Sequence, residues 1–259
     1  MNNKTKDKYH RKYLIISDVH SNLEALKAVI EDAVNNHGGF NRLLCLGDLV
    51  GYGPNPRECI ELLRKYDHLC VCGNHDMAAS GETSTAHFNG YAADANRWNA
   101  EKLTDEDRKY LANLPQVIVE GDFTLVHGCP REPVWEYIDD HRDDAENFNL
   151  LQTPYCLVGH THRPAWFASC DDGFESIVAV EKHICNDVPM KLNGSKLIIN
   201  PGSVGQPRDG NPRAGYATYD TATGNISYCR VSYDIKKTQE KMRAAGLPGW
   251  LSDRLAIGN

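Results

Sequence analysis

"LIISDVHSN", residues 14–22, holds an apolar run, Leu14-Ile15-Ile16, that stops at an acid and a histidine one residue apart, Asp18 and His20. Such a run, bounded by polar residues, reads as a buried strand. Packing alone gives no reason to end it in a carboxylate and an imidazole, because both groups lose hydration on burial. Four later apolar runs end in the same way. "LLCLGD" stops at Gly47-Asp48 and "LCVCGNHD" at Gly73-Asn74-His75-Asp76; "TLVHG" stops at His127 and "CLVGHTH" at Gly159-His160-Thr161-His162. Functional groups in open α/β sheets collect at the carboxyl ends of strands, so all five endings are expected to converge on one crevice.

The set mixes imidazole nitrogen with carboxylate and amide oxygen, a combination suited to Zn, Fe, Mn, Ni or Co. Asp18, His20, Asp48, Asn74, His127, His160 and His162 are too many for one tetrahedral ion and enough for two ions sharing a carboxylate. Residues two apart on extended backbone share a face, so Asp18/His20 and His160/His162 can each serve one cluster. The glycines before Asp48, Asn74 and His160 are read as sites of sharp backbone bending. One Asp-x-His pair alone would be an ordinary loop feature. Five such endings, each behind an apolar strand, argue for a metal centre.

Around these endings the pattern alternates. Strand 12–17 leads to a helix over 22–37, with Leu23, Leu26, Ile30 and Val34 at helical spacing and Gly38-Gly39 as its stop. Strand 41–47, a helix opening at Asn55-Pro56, and strand 68–74 follow. Helices are expected at 90–101 and 104–113, then a hairpin turning at Gly121-Asp122, a helix at 142–152 and strand 155–160. After residue 163 strands dominate (165–169, 174–180, 196–200, 215–220, 224–233) before a closing helix near 234–245. This succession predicts α/β architecture with two packed sheets in one domain, residues 13–259, behind a polar tail, 1–12. Residues 168–196 are read as an extra hairpin.

The bulk numbers set limits. A chain of 259 residues, 41% hydrophobic and 24% charged, has the balance of a globular protein. Its net charge of −7 disfavours nucleic acid as a partner. The start, "MNNKTKDKYHRKY", lacks the apolar stretch of a secretory signal, and no window is long and apolar enough to span a bilayer. Nine scattered cysteines without a Cys-x-x-Cys pair suit reduced thiols, hence a cytoplasmic location. Cys70 and Cys72 have no second ligand pair and are not read as a zinc site.

The ordered series Asp18-x-His20, Gly47-Asp48, Gly73-Asn74-His75-Asp76, His127, Gly159-His160-x-His162 resembles the calcineurin-like metallophosphoesterase superfamily, across residues 14–163. "NPGSVGQPRDG", residues 200–210, is similar to its small bacterial phosphodiesterase-like branch. The resemblance implies a four-layer α/β/β/α sandwich of two mixed sheets flanked by helices. It implies one ion held by Asp18, His20, Asp48 and His162, and a second held by Asp48, Asn74, His127 and His160. The resemblance further implies that two such ions would supply Lewis acidity to a phosphate and to a bridging water, which would attack phosphorus in line with the leaving oxygen. Asn74 is expected to touch phosphate and His75 to stabilise the transition state or protonate the leaving alkoxide. Asp76 either fixes the His75 tautomer or serves as a turn or cap residue.

The sequence also departs from better-known branches. Protein phosphatases and diadenosine tetraphosphate hydrolases of the superfamily carry Gly-Asp-x-Val-Asp-Arg-Gly, whereas Gly47-Asp48-Leu49-Val50-Gly51-Tyr52-Gly53 has no arginine. That speaks against protein phosphatase activity. Arg131 or Arg208 is a candidate replacement for phosphate binding, and Asn22 either faces substrate or caps the following helix. Tyr52, Trp98 and Trp135 are candidates for an aromatic wall suited to a nucleotide base; His87, His141 and His183 are read as ordinary surface residues. The expected activity is two-metal hydrolysis of small phosphodiesters or phosphomonoesters, with a nucleotide among the candidate substrates. The alternatives are a dinucleoside polyphosphate or nucleotide pyrophosphate hydrolase, and a non-catalytic metal-bound scaffold, which His75 disfavours.

Overall fold

A computed structural model describes residues 10–138, 144–168, 177–179 and 188–259. Most of the expected tail, 1–12, and His141 and His183 lie outside these residues. Residues 10–12 are part of the fold: His10 Nε2 lies 2.7 Å from Asp220 Oδ1, and β1 begins at Lys12.

In chain order the elements are β1 (Lys12–Ile16), α1 (Leu23–Asn36), β2 (Arg42–Cys45), α2 (Pro56–Leu63), β3 (His68–Cys70), α3 (Asn74–Ser80), α4 (Gly90–Lys102) and α5 (Asp105–Ala112). They continue with β4 (Ile118–Glu120), β5 (Phe123–Leu125), α6 (Asp144–Leu150), β6 (Tyr155–Leu157), β7 (Pro164–Ala168), β8 (Ile177–Ala179), β9 (Met190–Lys191) and β10 (Leu197–Pro201). β11 (Ala214–Asp220), β12 (Asn225–Val231), α7 (Ile235–Ala244) and α8 (Gly249–Asp253) complete the chain. Short 3₁₀ turns lie at Thr85–His87 and Arg254–Ala256.

The strands form two six-stranded sheets, ordered β3-β2-β1-β11-β12-β9 and β4-β5-β6-β10-β7-β8. β1, β2 and β3 run parallel in the first, and β5, β6 and β10 in the second; the remaining neighbours are antiparallel. Alternation along β1 explains the layering. Tyr13 and Ile15 point between the sheets, where they meet Leu44, Phe123, Leu157, Ile199 and Tyr219. Leu14 and Ile16 point the other way, onto Leu26 and Ile30 of α1 and Ile60 of α2. Phe148 of α6 covers Cys156 and Ile198 on the outer face of the second sheet. The result is the expected α/β/β/α sandwich.

Two elements depart from the sequence reading. β3 stops at Cys70, and Asn74 opens a seven-residue helix, α3, that was read as strand end and loop. Its N-cap is Gly73 rather than Ser, Thr, Asp or Asn, so the usual signal is absent. The final stretch folds as α8, whose Leu251 packs with Leu255 and Met242 against Tyr52. In the 168–196 segment, β8 pairs with β7 and β9 pairs with β12 on the other sheet; residues 169–176 and 180–187 lie outside the described residues.

Candidate metal centre

Six strands, three parallel ones from each sheet, end at the same side of the molecule, and the segments that follow them carry the residues of the cluster. Asp18 and His20 follow β1, Asp48 follows β2, and Asn74 and His75 follow β3. His127 follows β5, His160 and His162 follow β6, and Gln206 and Arg208 follow β10. Extended backbone does not aim them, as the sequence spacing had suggested. Asp18, His20, Asp48, His160 and His162 all adopt left-handed backbone, with φ of 52°, 47°, 51°, 66° and 61°. Each such non-glycine residue costs on the order of 1–3 kcal/mol and persists only where its surroundings fix it. Here backbone bonds do so: Asp18 N–H donates to Gly47 O (3.1 Å), His20 N–H to Asp48 O (2.9 Å), and Gly205 N–H to Asp18 O (2.9 Å).

The glycines play a different part from the one expected. Only Gly47 has positive φ, 88°. A Cβ on Gly73 would overlap the Asp48 carboxylate, and one on Gly159 would overlap the Ser17 hydroxyl, so these two residues permit close approach of neighbouring loops.

Two groups of potential ligand atoms result, each with its atoms within 4.8 Å of one another: Asp18, His20, Asp48 and His162, and Asp48, His127 and His160. Asp48 belongs to both. Its Oδ2 lies 3.6 Å from His20 Nε2 and 3.4 Å from His127 Nε2, while its Oδ1 accepts from His75 N–H at 2.9 Å. Asn74 Oδ1 is 3.2 Å from His127 Nε2. Cys70 and Cys72 belong to neither group, and the seven cysteines among the described residues are buried and unbridged.

Backbone carbonyls orient the rings. Nδ1 of His20, His127 and His162 faces Val50 O (3.1 Å), Leu46 O (2.7 Å) and Gln206 O (2.6 Å), and Nε2 of His160 faces Trp135 O (3.1 Å). Each carbonyl can only accept, so each ring donates there and turns its other nitrogen inward, the arrangement of a metal-binding imidazole. His20 Nε2 and His162 Nε2 meet 3.0 Å apart, and Asp18 Oδ1 is buried without a hydrogen-bond partner. Burial keeps His20 and His162 neutral, holding both well below the usual imidazole value. Two lone pairs and an orphan carboxylate oxygen facing one point are unfavourable unless a cation lies between them. The donor set therefore fits divalent metal.

Electrostatics divide the cluster. Burial pushes Asp18 up to about 7. Burial opposes ionisation of Asp48 too, but His127 and His75 hold that carboxyl well below the carboxylate range. His127 moves up to about 10 against the effect of burial, because Asp48 lies beside it. Burial lowers His75 to about 4, and burial with His127 lowers His160 to about 3.

Other candidates fall differently. Asp76 does not touch the His75 ring: Oδ2 accepts from Gly73 N–H and Oδ1 from Val50 N–H, both at 3.1 Å, so it caps α3 and ties down the loop after β2. Asn96 of α4, missed in the sequence, places Nδ2 3.4 Å from His75 Nδ1 and donates to His75 O at 2.9 Å. Asn22 caps α1 through Ala25 N–H and binds Gly205 O, and it does not line the main cavity. Arg131 is held by Glu136 and Glu146 away from the cluster. Arg208 does reach the site, donating to Gln206 Oε1 (2.9 Å) and standing over the Tyr52 ring at 5.7 Å. A cavity of about 590 Å³ opens above the cluster, lined in part by His75, Arg208, Tyr52, Trp135 and the exposed His87. Trp98 lies elsewhere, beneath Lys102.

Among the described residues, no helix is long and apolar enough to cross a membrane. The sequence of residues 12–224 matches the calcineurin-like phosphoesterase superfamily domain. An uncharacterized protein of Methanocaldococcus jannaschii is 42% identical over 250 residues, 94% of this chain and 97% of that one. The crystal structure of a metallophosphoesterase from Sphaerobacter thermophilus superposes with a TM-score of 0.85 at 43% identity, covering 96% of this chain and 100% of the other. A hypothetical protein from Pyrococcus horikoshii OT3 shares the fold, with a TM-score of 0.78 at 19% identity over 96% and 98% of the two chains. Motif order, layer architecture and a match extending over most of the sequence lead to one assignment: this chain belongs to the calcineurin-like phosphoesterase superfamily.

Proposed function

We propose that this protein is a two-metal phosphoesterase acting on small phosphodiesters or phosphomonoesters. The observation that carries the reading is the sharing of Asp48 between two ligand groups. Asp18, His20, Asp48 and His162 would hold one ion; Asp48, Asn74, His127 and His160 would hold the other. Bound there, such ions supply Lewis acidity to phosphate oxygens and to water.

The chain's own groups account for the rest of the chemistry. His75 is buried and neutral, and the Asn96 amide N–H beside Nδ1 leaves its proton on Nε2. A neutral imidazole carrying that proton can donate to the departing alkoxide as P–O cleavage proceeds. Arg208 supplies the fixed positive charge that the loop Gly47–Gly53 lacks, and its planar fork matches phosphate oxygens.

The test is a panel of bis-p-nitrophenyl phosphate, p-nitrophenyl phosphate, cyclic nucleotides and dinucleoside polyphosphates, assayed with Mn, Fe, Zn, Ni and Co in turn. Hydrolysis that a chelator abolishes and added metal restores is the expected result. Failure with every pair would reject the reading.

A further inference from the structure

Above the cluster, one wall of the cavity is aromatic rather than polar. Tyr137 lies flat on His160, with ring centroids 3.9 Å apart and an interplanar angle of 14°, yet it is 50% exposed. One face is covered by His160, and Tyr137 still contributes to the lining of the cavity. Trp135 and Phe88 continue the surface, 6.0 Å apart at 57°, and Phe88 also sits 4.5 Å from the His75 ring. That spacing and tilt leave no room for a ring between Trp135 and Phe88. A flat group can lie only on the open side of the ridge.

These rings come from two separate stretches of chain, yet they meet at the side of the cluster where His75 and His160 stand. Polar groups edge the same wall. Thr83 and His87 make no side-chain hydrogen bond among the described residues, and Asn89, whose Oδ1 caps α4 at Ala92 N–H, keeps its amide N–H groups for another acceptor. The cavity volume lies in the range of small-molecule sites.

Resting on the phosphoesterase reading above, we infer that the natural substrate carries a planar aromatic ring within reach of its phosphate: a nucleobase, or the aryl group of an aryl ester. The ring stacks on Tyr137 and Trp135 while the phosphate sits over the cluster beside Arg208.

Phosphonates test this without turnover, because their C–P bond is not hydrolysed by phosphoesterases. Calorimetry on the Mn-loaded protein would compare methylphosphonate, benzylphosphonate and an adenine-bearing acyclic nucleoside phosphonate. Stacking on an aromatic side chain is expected to tighten binding of the ring-bearing compounds about tenfold or more over methylphosphonate. Trp135→Ala and Tyr137→Ala should each cut that ratio several-fold, and Trp135→Phe should restore most of it. Tighter binding of the adenine compound identifies a nucleobase; equal or tighter binding of benzylphosphonate identifies an aryl ester. Equal affinity for all three, or a ratio that survives both alanine variants, overturns the inference and leaves the phosphoesterase reading standing. If none of the three binds, the inference is overturned, and the phosphoesterase reading is decided by the turnover panel above.

Discussion

His127 Nε2 and His160 Nδ1 stand 3.0 Å apart, and the same His127 nitrogen faces Asp48 Oδ2 at 3.4 Å. His160 is neutral and donates from its far nitrogen to Trp135 O, so its near nitrogen accepts; His127, raised to about 10 beside Asp48, carries the proton. A divalent cation needs both lone pairs and must displace that proton. Binding near pH 7.5 should therefore release about one proton from His127, since its value lies above the working pH. Asp18, raised to about 7 by burial, is half protonated near that pH and holds more of a second proton as the pH falls further. Release should then increase and apparent affinity drop with acid. Calorimetric titration of metal into buffers of different ionisation enthalpy measures both, and no proton release at pH 7.5 would contradict the assignment.

The facing pair His20 and His162 has no such proton. Both rings are neutral and both donate to carbonyls, so the 3.0 Å contact between their inner nitrogens is repulsive in the metal-free chain. A ligand that binds only the folded state at a thousandfold excess over Kd stabilises it by about 4 kcal/mol. In a chain of this size that corresponds to roughly ten degrees in Tm. Adding Mn to chelator-treated protein should raise Tm by about that amount, and His162→Ala should remove most of the gain.

The residues of this centre were legible in the sequence because each closes an apolar run. Asp18, Asp48, His127 and His160 follow strands that pair in parallel, so a one-dimensional pattern predicted convergence in three dimensions. What aims the side chains was not legible. Left-handed φ at five non-glycine residues is held by bonds among the loops after β1, β2, β6 and β10, which are far apart in sequence. Asn96 was missed for a related reason. It lies on α4 with no motif around it, and only packing brings it to His75. Asp76 caps α3, a helix too short and too atypically capped to announce itself.

His75 touches the cavity but belongs to neither ligand group. His75→Ala should keep its metal content and lower kcat by about 10²–10⁴, the usual contribution of a general acid. The loss should shrink for esters with acidic leaving groups, which need little protonation. Elemental analysis alongside kinetics on p-nitrophenyl and alkyl esters would check this; an unchanged kcat at full metal content would remove His75 from the mechanism.

Arg208 stands over the Tyr52 ring, held by Gln206 and within range of the cluster's charges. Arg208→Ala should raise KM about tenfold or more at unchanged metal content. Arg208→Lys should recover only part of the loss, because an ammonium cannot make two parallel contacts to phosphate. Full recovery by lysine would show that charge alone matters.

Gly73 offers a test of whether the two ligand groups act as one unit. Its φ is −100°, which alanine adopts without backbone strain, so any defect in Gly73→Ala comes from the added methyl group. That methyl would occupy the position of the Asp48 carboxylate, pushing aside the one side chain common to both groups. Displacing Asp48 also removes the acceptor of His75 N–H at the start of α3. Gly73→Ala should therefore weaken both ions together, by roughly 10–100-fold in affinity, the scale seen when supporting contacts of a metal site are disturbed. Metal titrations that show one site lost and the other intact would mean that Asp48 does not bridge.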